Sequence, residues 1–391
     1  MANVYCLNPI ADVGMNLLPQ SCQVTDTMDN ADAVLVRSAQ MHDLELPESL
    51  LCIARAGAGV NNIPLNACAE KGIVVFNTPG ANANGVKELV MAGLLFASRD
   101  IIGGANWVQE NKNDSAIAKT TEKAKKAFAG CEVKGKKLGV IGLGAIGVLV
   151  ANAAHDLGMD VYGCDPYLSI QNAVRLSRYV NIVKDNDEIF SQCDYITLHV
   201  PALDSTKGMI NASAFEKMKD GVVILNFARD LLVNDTDMAA ALASGKVRRY
   251  VSDFPNPAVA NMPGAVVLPH LGASTEESED NCAVMAVKQI ADYLENGNIV
   301  NSVNYPACTL GNLHKPARIC VAHYNKPNVI SQFTTICGNA GVNISDMVSK
   351  SRGDYAYAMF DVESPISEDF EHKIAAMDNI IKVRIINGPE K

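Results

Sequence analysis

The sequence predicts an α/β protein of two doubly wound parallel-sheet domains joined by crossing helices, followed by a C-terminal ferredoxin-like βαββαβ unit. Three observations carry that prediction. Short apolar runs alternate with longer mixed segments, first over about a hundred residues and again from Leu138 to Pro269. A glycine-rich turn interrupts the second series directly after a strand-like run. Beyond a stretch punctuated by Pro306, Gly311 and Pro316, the pattern changes to six short elements in about 75 residues.

In the first series the runs at residues 4–7, 33–36, 51–54 and 74–76 are apolar throughout, as strands covered on both faces must be. The second series reads LGVIG, DVYGC, YITLHV, VVILNF, RYVSDF and AVVLP, with helical segments such as AIGVLVANAAHDLG between them. The two longest helical patterns start at Asn82 and Ser274 and are the expected crossing helices. The second opens on an apparent capping box, Ser274 with Glu277. The expected division is 1–93 with 272–305 for substrate, 94–271 for a dinucleotide, 306–316 as linker and 317–391 as a regulatory domain. In the last, strands are expected at 318–322, 342–348, 355–362 and 380–386, and helices at 328–339 and 369–376.

The balance of 33 basic and 43 acidic residues leaves a net charge of -10, which argues against a nucleic-acid surface but not against a local anion pocket. Eleven cysteines, odd in number and never spaced as CxxC, read as reduced thiols rather than disulfides or metal ligands. The N-terminus lacks the pattern of a signal peptide and no apolar run is long enough to span a membrane, so a cytoplasmic location without membrane partners is expected.

KKLGVIGLGAIG places Gly142, Gly144 and Gly147 between a strand and a helix. There they allow a tight turn, close approach of a pyrophosphate and close helix–strand packing, with free N–H groups at Ala145, Ile146 and Gly147. The next strand ends at Asp165, where a carboxylate accepts from a ribose diol and repels a 2′-phosphate, so NAD is expected rather than NADP. Asp165 alone could equally begin an Asp-Pro-Tyr turn. His199 and Pro201 follow a later strand, where the second half of a dinucleotide would lie.

Hydride chemistry on a hydroxy acid needs a proton carrier and a cation for the carboxylate. Arg229 follows VILNFA and His270 follows VVLP, both at carboxyl ends of strands, where ligands of open α/β sheets bind. Taken singly, such an Arg is more often a surface ion-pair residue and such a His a structural one.

Together, RAGAGVNNI from Arg55, VVFNTPGANANGVKELV from Val74, GLGAIG, LHVP from Leu198, NFAR from Asn226 and PHLGAST from Pro269 resemble the D-isomer-specific 2-hydroxyacid dehydrogenase family over residues 1 to about 305. The resemblance implies Arg229 as substrate clamp, His270 as acid/base and Asp253 at the nicotinamide end. It also implies cofactor contacts at Phe227, Ala228, Gly272 and Ala273, and substrate contacts at Ala58 and Gly59. The family's usual Glu beside the catalytic His is absent from SDFPNPAVANMPG. Asp253 could replace it, or Asn256 could orient the ring.

The C-terminal unit resembles an ACT domain. Its attachment implies the branch that acts on 3-phospho-D-glycerate, giving 3-phosphohydroxypyruvate at the entry to L-serine biosynthesis. HYNKP and GVNI match serine-binding positions as His323, Asn325 and Asn343, although Asn328 replaces a usual Gly and all three could be turn and cap residues. The substrate phosphate is expected at Arg37 and Ser38, with Lys126 from a basic run that includes Lys125, Lys134, Lys136 and Lys137. A solvated face is the plainer reading of any one of these lysines. A homodimer or higher homo-oligomer is implied through residues 92–130, which contain Trp107. Other D-2-hydroxy acids such as D-lactate or glyoxylate, and an NAD-sensing binding protein, are the competing readings.

Overall fold

The computed structural model describes residues 1–388, so the last three residues of the expected regulatory domain lie outside it. The chain forms two compact units, Asn82–Ser278 and Met1–Ala81 with the chain from Glu279 onward.

In the unit that begins at Met1, strands β1 (Ala2–Cys6), β2 (Cys22–Thr25), β3 (Ala33–Val36), β4 (Cys52–Arg55) and β5 (Val74–Phe76) make a parallel sheet in the order β2-β1-β3-β4-β5. β3 and β5 are buried along their whole length because helices cover both faces, as their unbroken apolar runs require. β2 was not anticipated from the sequence. Its CQVT is an edge strand with Gln23 and Val24 exposed, so burial leaves no apolar pattern to read.

The other unit holds β6 (Lys137–Ile141), β7 (Asp160–Cys164), β8 (Asn181–Ile182), β9 (Tyr195–Leu198), β10 (Val222–Asn226), β11 (Val247–Ser252) and β12 (Ala265–Val267). All are parallel, in the order β12-β11-β10-β9-β6-β7-β8. The direction of winding reverses between β9 and β6, which places a ligand crevice at the carboxyl ends of those strands.

The segment from Asn82 forms the expected helix, Ala83–Ser98, and a further helix, Ile101–Glu110, follows it. Arg99 is extended, and the Asp100 side chain caps the second helix by accepting from the Gly103 N–H. The helix expected to begin with Ser274 and Glu277 spans Glu276–Asn296, and its cap is one residue later. Thr275 Oγ1 accepts from the Ser278 N–H at 3.1 Å, so Ser278 occupies the place assigned to Glu277. Adjacent Ser and Thr offer equivalent oxygens, and sequence spacing alone favoured the wrong one.

The C-terminal strands β13 (Ala317–Tyr324), β14 (Ile344–Arg352), β15 (Tyr355–Val362) and β16 (Ile380–Asn387) form an antiparallel sheet in the order β14-β15-β13-β16, with helices Val329–Asn339 and Glu368–Ala375. One face packs Ile319, Val321, Ala358 and Phe360 against Phe333 and Cys337. On the other, Cys320, Ala322, Tyr357 and Met359 join the core that contains Leu35, Phe76 and Tyr293. The segment before this sheet is pinned. Tyr305 is fully buried with its hydroxyl donating to Ala69 O, and Cys308 pairs with Ile299 across an isolated bridge.

No helix among the described residues is long and apolar enough to cross a membrane. The eleven cysteines are free, and the described residues hold no cluster of metal-ligating side chains.

Candidate active site

The glycine turn follows β6, whose last four residues are buried, and leads into the helix Ala145–Asp156. Gly142 has φ +93°, and a Cβ there would lie 2.5 Å from His199 O, so the turn tolerates only glycine. A Cβ at Gly147 would press closer still on Gly142 O, so this glycine locks helix to strand. At Gly144 a Cβ would meet nothing within 4 Å, leaving open space at the helix N-terminus. The N–H groups of Ala145, Ile146 and Gly147 have no intrahelical acceptor, and no side chain caps them. Open space against free N–H groups fits a pyrophosphate.

Asp165 follows β7 and serves both readings of its sequence. Oδ2 accepts from the Leu143 N–H and Oδ1 from the Tyr167 N–H, each at 2.8 Å. Both oxygens keep lone pairs for a ribose diol. His199 follows β9. Its Nε2 pairs with Thr197 Oγ1 at 2.9 Å, Nδ1 is buried without a partner, and burial pushes the imidazole pKa down to about 3, so the ring is neutral near pH 7. Pro201 is exposed in the loop that follows.

β10 ends in a loop organised by Asn226, a buried residue that sequence reasoning did not single out. Its Oδ1 accepts from the N–H groups of Ala228 and Arg229, and its Nδ2 donates to Arg229 O. The loop presents Arg229 to solvent, where one guanidinium N–H donates to Ala228 O. Phe227 turns inward onto Gly93 and the core, so it can offer a ligand only its backbone. An Asn immediately before a buried Phe was the available signal for this loop.

His270 follows β12 with φ +53°, a left-handed conformation uncommon for a non-glycine residue. The residue is exposed, and its ring lies 4.7 Å from that of Phe254. Asp253, only 1% exposed, accepts from the Gly272 N–H through Oδ2, which ties it to the loop that carries His270. Its Oδ1 is buried without a partner. Burial raises the carboxyl pKa, opposed by the positive charges of His270 and Arg229. Asn256 is committed elsewhere: Oδ1 accepts from the Val259 N–H as a helix cap, and Nδ2 donates to Asp235. Ala273 is exposed beside buried Gly272.

The remaining expected substrate residues fall in both units. Lys126 is exposed on the short helix Lys125–Phe128. In the unit that begins at Met1, the N–H groups of Arg37, Ser38 and Ala39 converge on Asn8 Oδ1, and Arg37 pairs with Glu279 at 2.5 Å. Arg55, at the end of β4, donates from Nε to Arg37 O. The loop with Ala58 and Gly59 is tied down by Asn77 Nδ2 donating to Ala58 O.

The expected effector residues do not meet in one chain. His323 and Asn325 stand at the Ala356 end of β15, whereas Asn343 lies beside Glu363 at the other end. Six residues of strand separate them by about 20 Å.

A doubly wound sheet with this turn, a carboxylate after the next strand, and an Arg and a His after β10 and β12 has the layout of an NAD-dependent dehydrogenase. The model of the D-isomer specific 2-hydroxyacid dehydrogenase NAD binding domain matches residues 91–272. A D-3-phosphoglycerate dehydrogenase of Haemophilus influenzae is 30% identical over 354 residues, covering 88% of this chain and 83% of that protein. Its namesake from Archaeoglobus fulgidus is 35% identical over 286 residues, 71% of this chain and 52% of the relative. The chain belongs to the D-isomer-specific 2-hydroxyacid dehydrogenase family. The structure resembles an NAD+-bound 3-phosphoglycerate dehydrogenase of Entamoeba histolytica with TM-score 0.60 and 27% identity, covering 78% of this chain and 98% of that one. It resembles D-2-hydroxyisocaproate dehydrogenase with TM-score 0.62 at 20% identity, a likeness of fold alone.

Proposed function

We propose that this chain interconverts 3-phospho-D-glycerate and 3-phosphohydroxypyruvate with NAD, the entry step to L-serine. The observation that supports this most directly is the placing of Arg229 and His270 after β10 and β12, at the carboxyl ends of one parallel sheet, in a chain 30% identical to D-3-phosphoglycerate dehydrogenase over most of both lengths. NAD, held at the glycine turn and Asp165, would supply the hydride acceptor or donor. Arg229 grips the substrate carboxylate with its fork, and His270 takes the hydroxyl proton in oxidation and returns it in reduction. Asp253 holds the His270 loop through Gly272 and keeps Oδ1 for the carboxamide N–H of the nicotinamide.

Arg37 and Ser38, with Ala58 and Gly59 nearby in sequence to Arg55, are the candidates for the phosphate side, and Lys126 is a further cation. The regions 1–93 with 272–305, 94–271 and 317–391 would serve as substrate, NAD and ACT-type regulatory domains. A serine effector held by His323, Asn325 and Asn343 together needs a second copy of the chain, in keeping with a homodimer or higher homo-oligomer in the cytoplasm.

The test follows NADH absorbance as the protein reduces 3-phosphohydroxypyruvate, pyruvate, hydroxypyruvate, glyoxylate and 2-oxoglutarate, with and without L-serine. Preference for the phosphorylated acid is expected. Preference for another acid overturns the substrate, and NAD binding without turnover of any of them favours a sensor.

A further inference from the structure

A cavity of about 540 Å³ opens beside the edge strand β5, with all its walls in the unit that begins at Met1. Its floor is apolar, from Phe76, Val284, Met285 and Val300. The other walls bring three polar groups whose bonding is incomplete. Lys288 is exposed and has no salt-bridge partner among the described residues. Asp292 commits Oδ1 to the side-chain amides of Asn296 and Asn298, while its Oδ2 takes no hydrogen bond among the described residues. Gln289, 9% exposed, is fixed by Nε2 donating to Asn77 O and Met285 O, and its buried Oε1 accepts from no donor among the described residues. An unsatisfied buried amide oxygen destabilises a fold that gains nothing else from it.

One cation and two free acceptors around an apolar floor form a chemical pattern. The cation suits a carboxylate, the acceptors suit an ammonium group, and the floor suits an aliphatic or aromatic side chain. The volume lies within the range of small-molecule sites. We infer that this cavity binds a free α-amino acid with an apolar side chain, its carboxylate on Lys288 and its ammonium group toward Asp292 and Gln289. The site is separate from His323, Asn325 and Asn343, and from every residue assigned to the hydride chemistry. It does not depend on which hydroxy acid is the substrate.

Its place in the chain gives occupancy a consequence. Gly80 and Ala81 form one wall and are the last residues before the chain passes to the other unit at Asn82. The helix Glu276–Asn296, which supplies the polar wall, begins where the chain returns. An amino acid seated here touches both connections, so it is expected to change turnover as well as to bind.

The experiment is calorimetric titration of the full-length protein with L-leucine, L-methionine, L-phenylalanine, L-serine and N-acetyl-L-methionine amide. Binding is expected from the three apolar amino acids and not from serine at comparable concentration, nor from the blocked amide, which lacks both charges. Lys288→Met should weaken binding about tenfold or more, as loss of a charge-assisted bond does. Val300→Trp, at a position 53% exposed, should abolish it by filling the cavity. Both variants alter exposed side chains, and unchanged melting and NAD binding will show that they fold. No heat from any apolar amino acid overturns the inference, including the case in which a second copy covers the cavity. So does binding that both variants leave intact.

Discussion

Arg229 carries the sharpest prediction at the scale of single residues. Its guanidinium is exposed and held only to its own loop, so nothing in the fold depends on it. Arg229→Ala should lower kcat/KM for the keto acid about a thousandfold, the loss of a bidentate charge-assisted pair, and leave the NAD dissociation constant within about twofold. Arg229→Lys should recover only part, since a point charge cannot reproduce the fork. Weakened NAD binding with normal turnover would contradict the assignment. Asp253→Asn tests the missing Glu. Asparagine still accepts from the Gly272 N–H but carries no negative charge. The melting temperature should change little, while kcat falls about tenfold or more. An unchanged kcat would leave Asp253 as a brace for the loop and no more.

Thr275, rather than Ser274, begins the long returning helix, and this can be measured at the level of the element. Thr275→Ala should cost about 1 kcal/mol, read as a lower melting temperature, whereas Ser274→Ala should change little. Equal losses from both would restore the expected box. What the sequence disclosed of the fold follows from burial. Strands sealed on both faces, such as β3, β5 and β10, announce themselves as apolar runs. β2 is exposed along one edge and β8 is two exposed residues, so neither writes a pattern. The site was legible wherever backbone geometry restricts residue type, as at Gly142, or chemistry does, as at Arg229 and His270. It was illegible where a common residue acts through its place in the fold. Asn226 fastening the β10 loop, and Arg55 beside Arg37, look ordinary until the chain is folded. Asn343 shows the converse, since motif order said nothing about which end of a strand it would occupy.

For the molecule as a whole, the C-terminal sheet is built into the unit that begins at Met1. The helix Glu276–Asn296 ends with free carbonyls and a negative dipole end, and side chains of the C-terminal sheet supply the donors. Arg384 donates to Tyr293 O and Leu294 O, Arg318 to Asn296 O and Tyr357 to Gly297 O. Arg318 is fully buried, and its fork meets Asp361 at 2.6 and 2.9 Å. Arg318→Met would fill most of the same volume but leave the Asp361 carboxylate buried and unpaired, and a broken buried pair costs about 3–5 kcal/mol. The destabilisation should be local. Amide exchange at residues 293–297 should accelerate strongly, while the helix Ala145–Asp156 in the other unit keeps its protection and NAD affinity is unchanged. The paired variant Arg318→Met with Asp361→Leu should recover much of the loss, because the penalty belongs to the orphaned charge. If Arg318→Met instead leaves exchange at 293–297 unaltered, the C-terminal sheet does not hold this helix end.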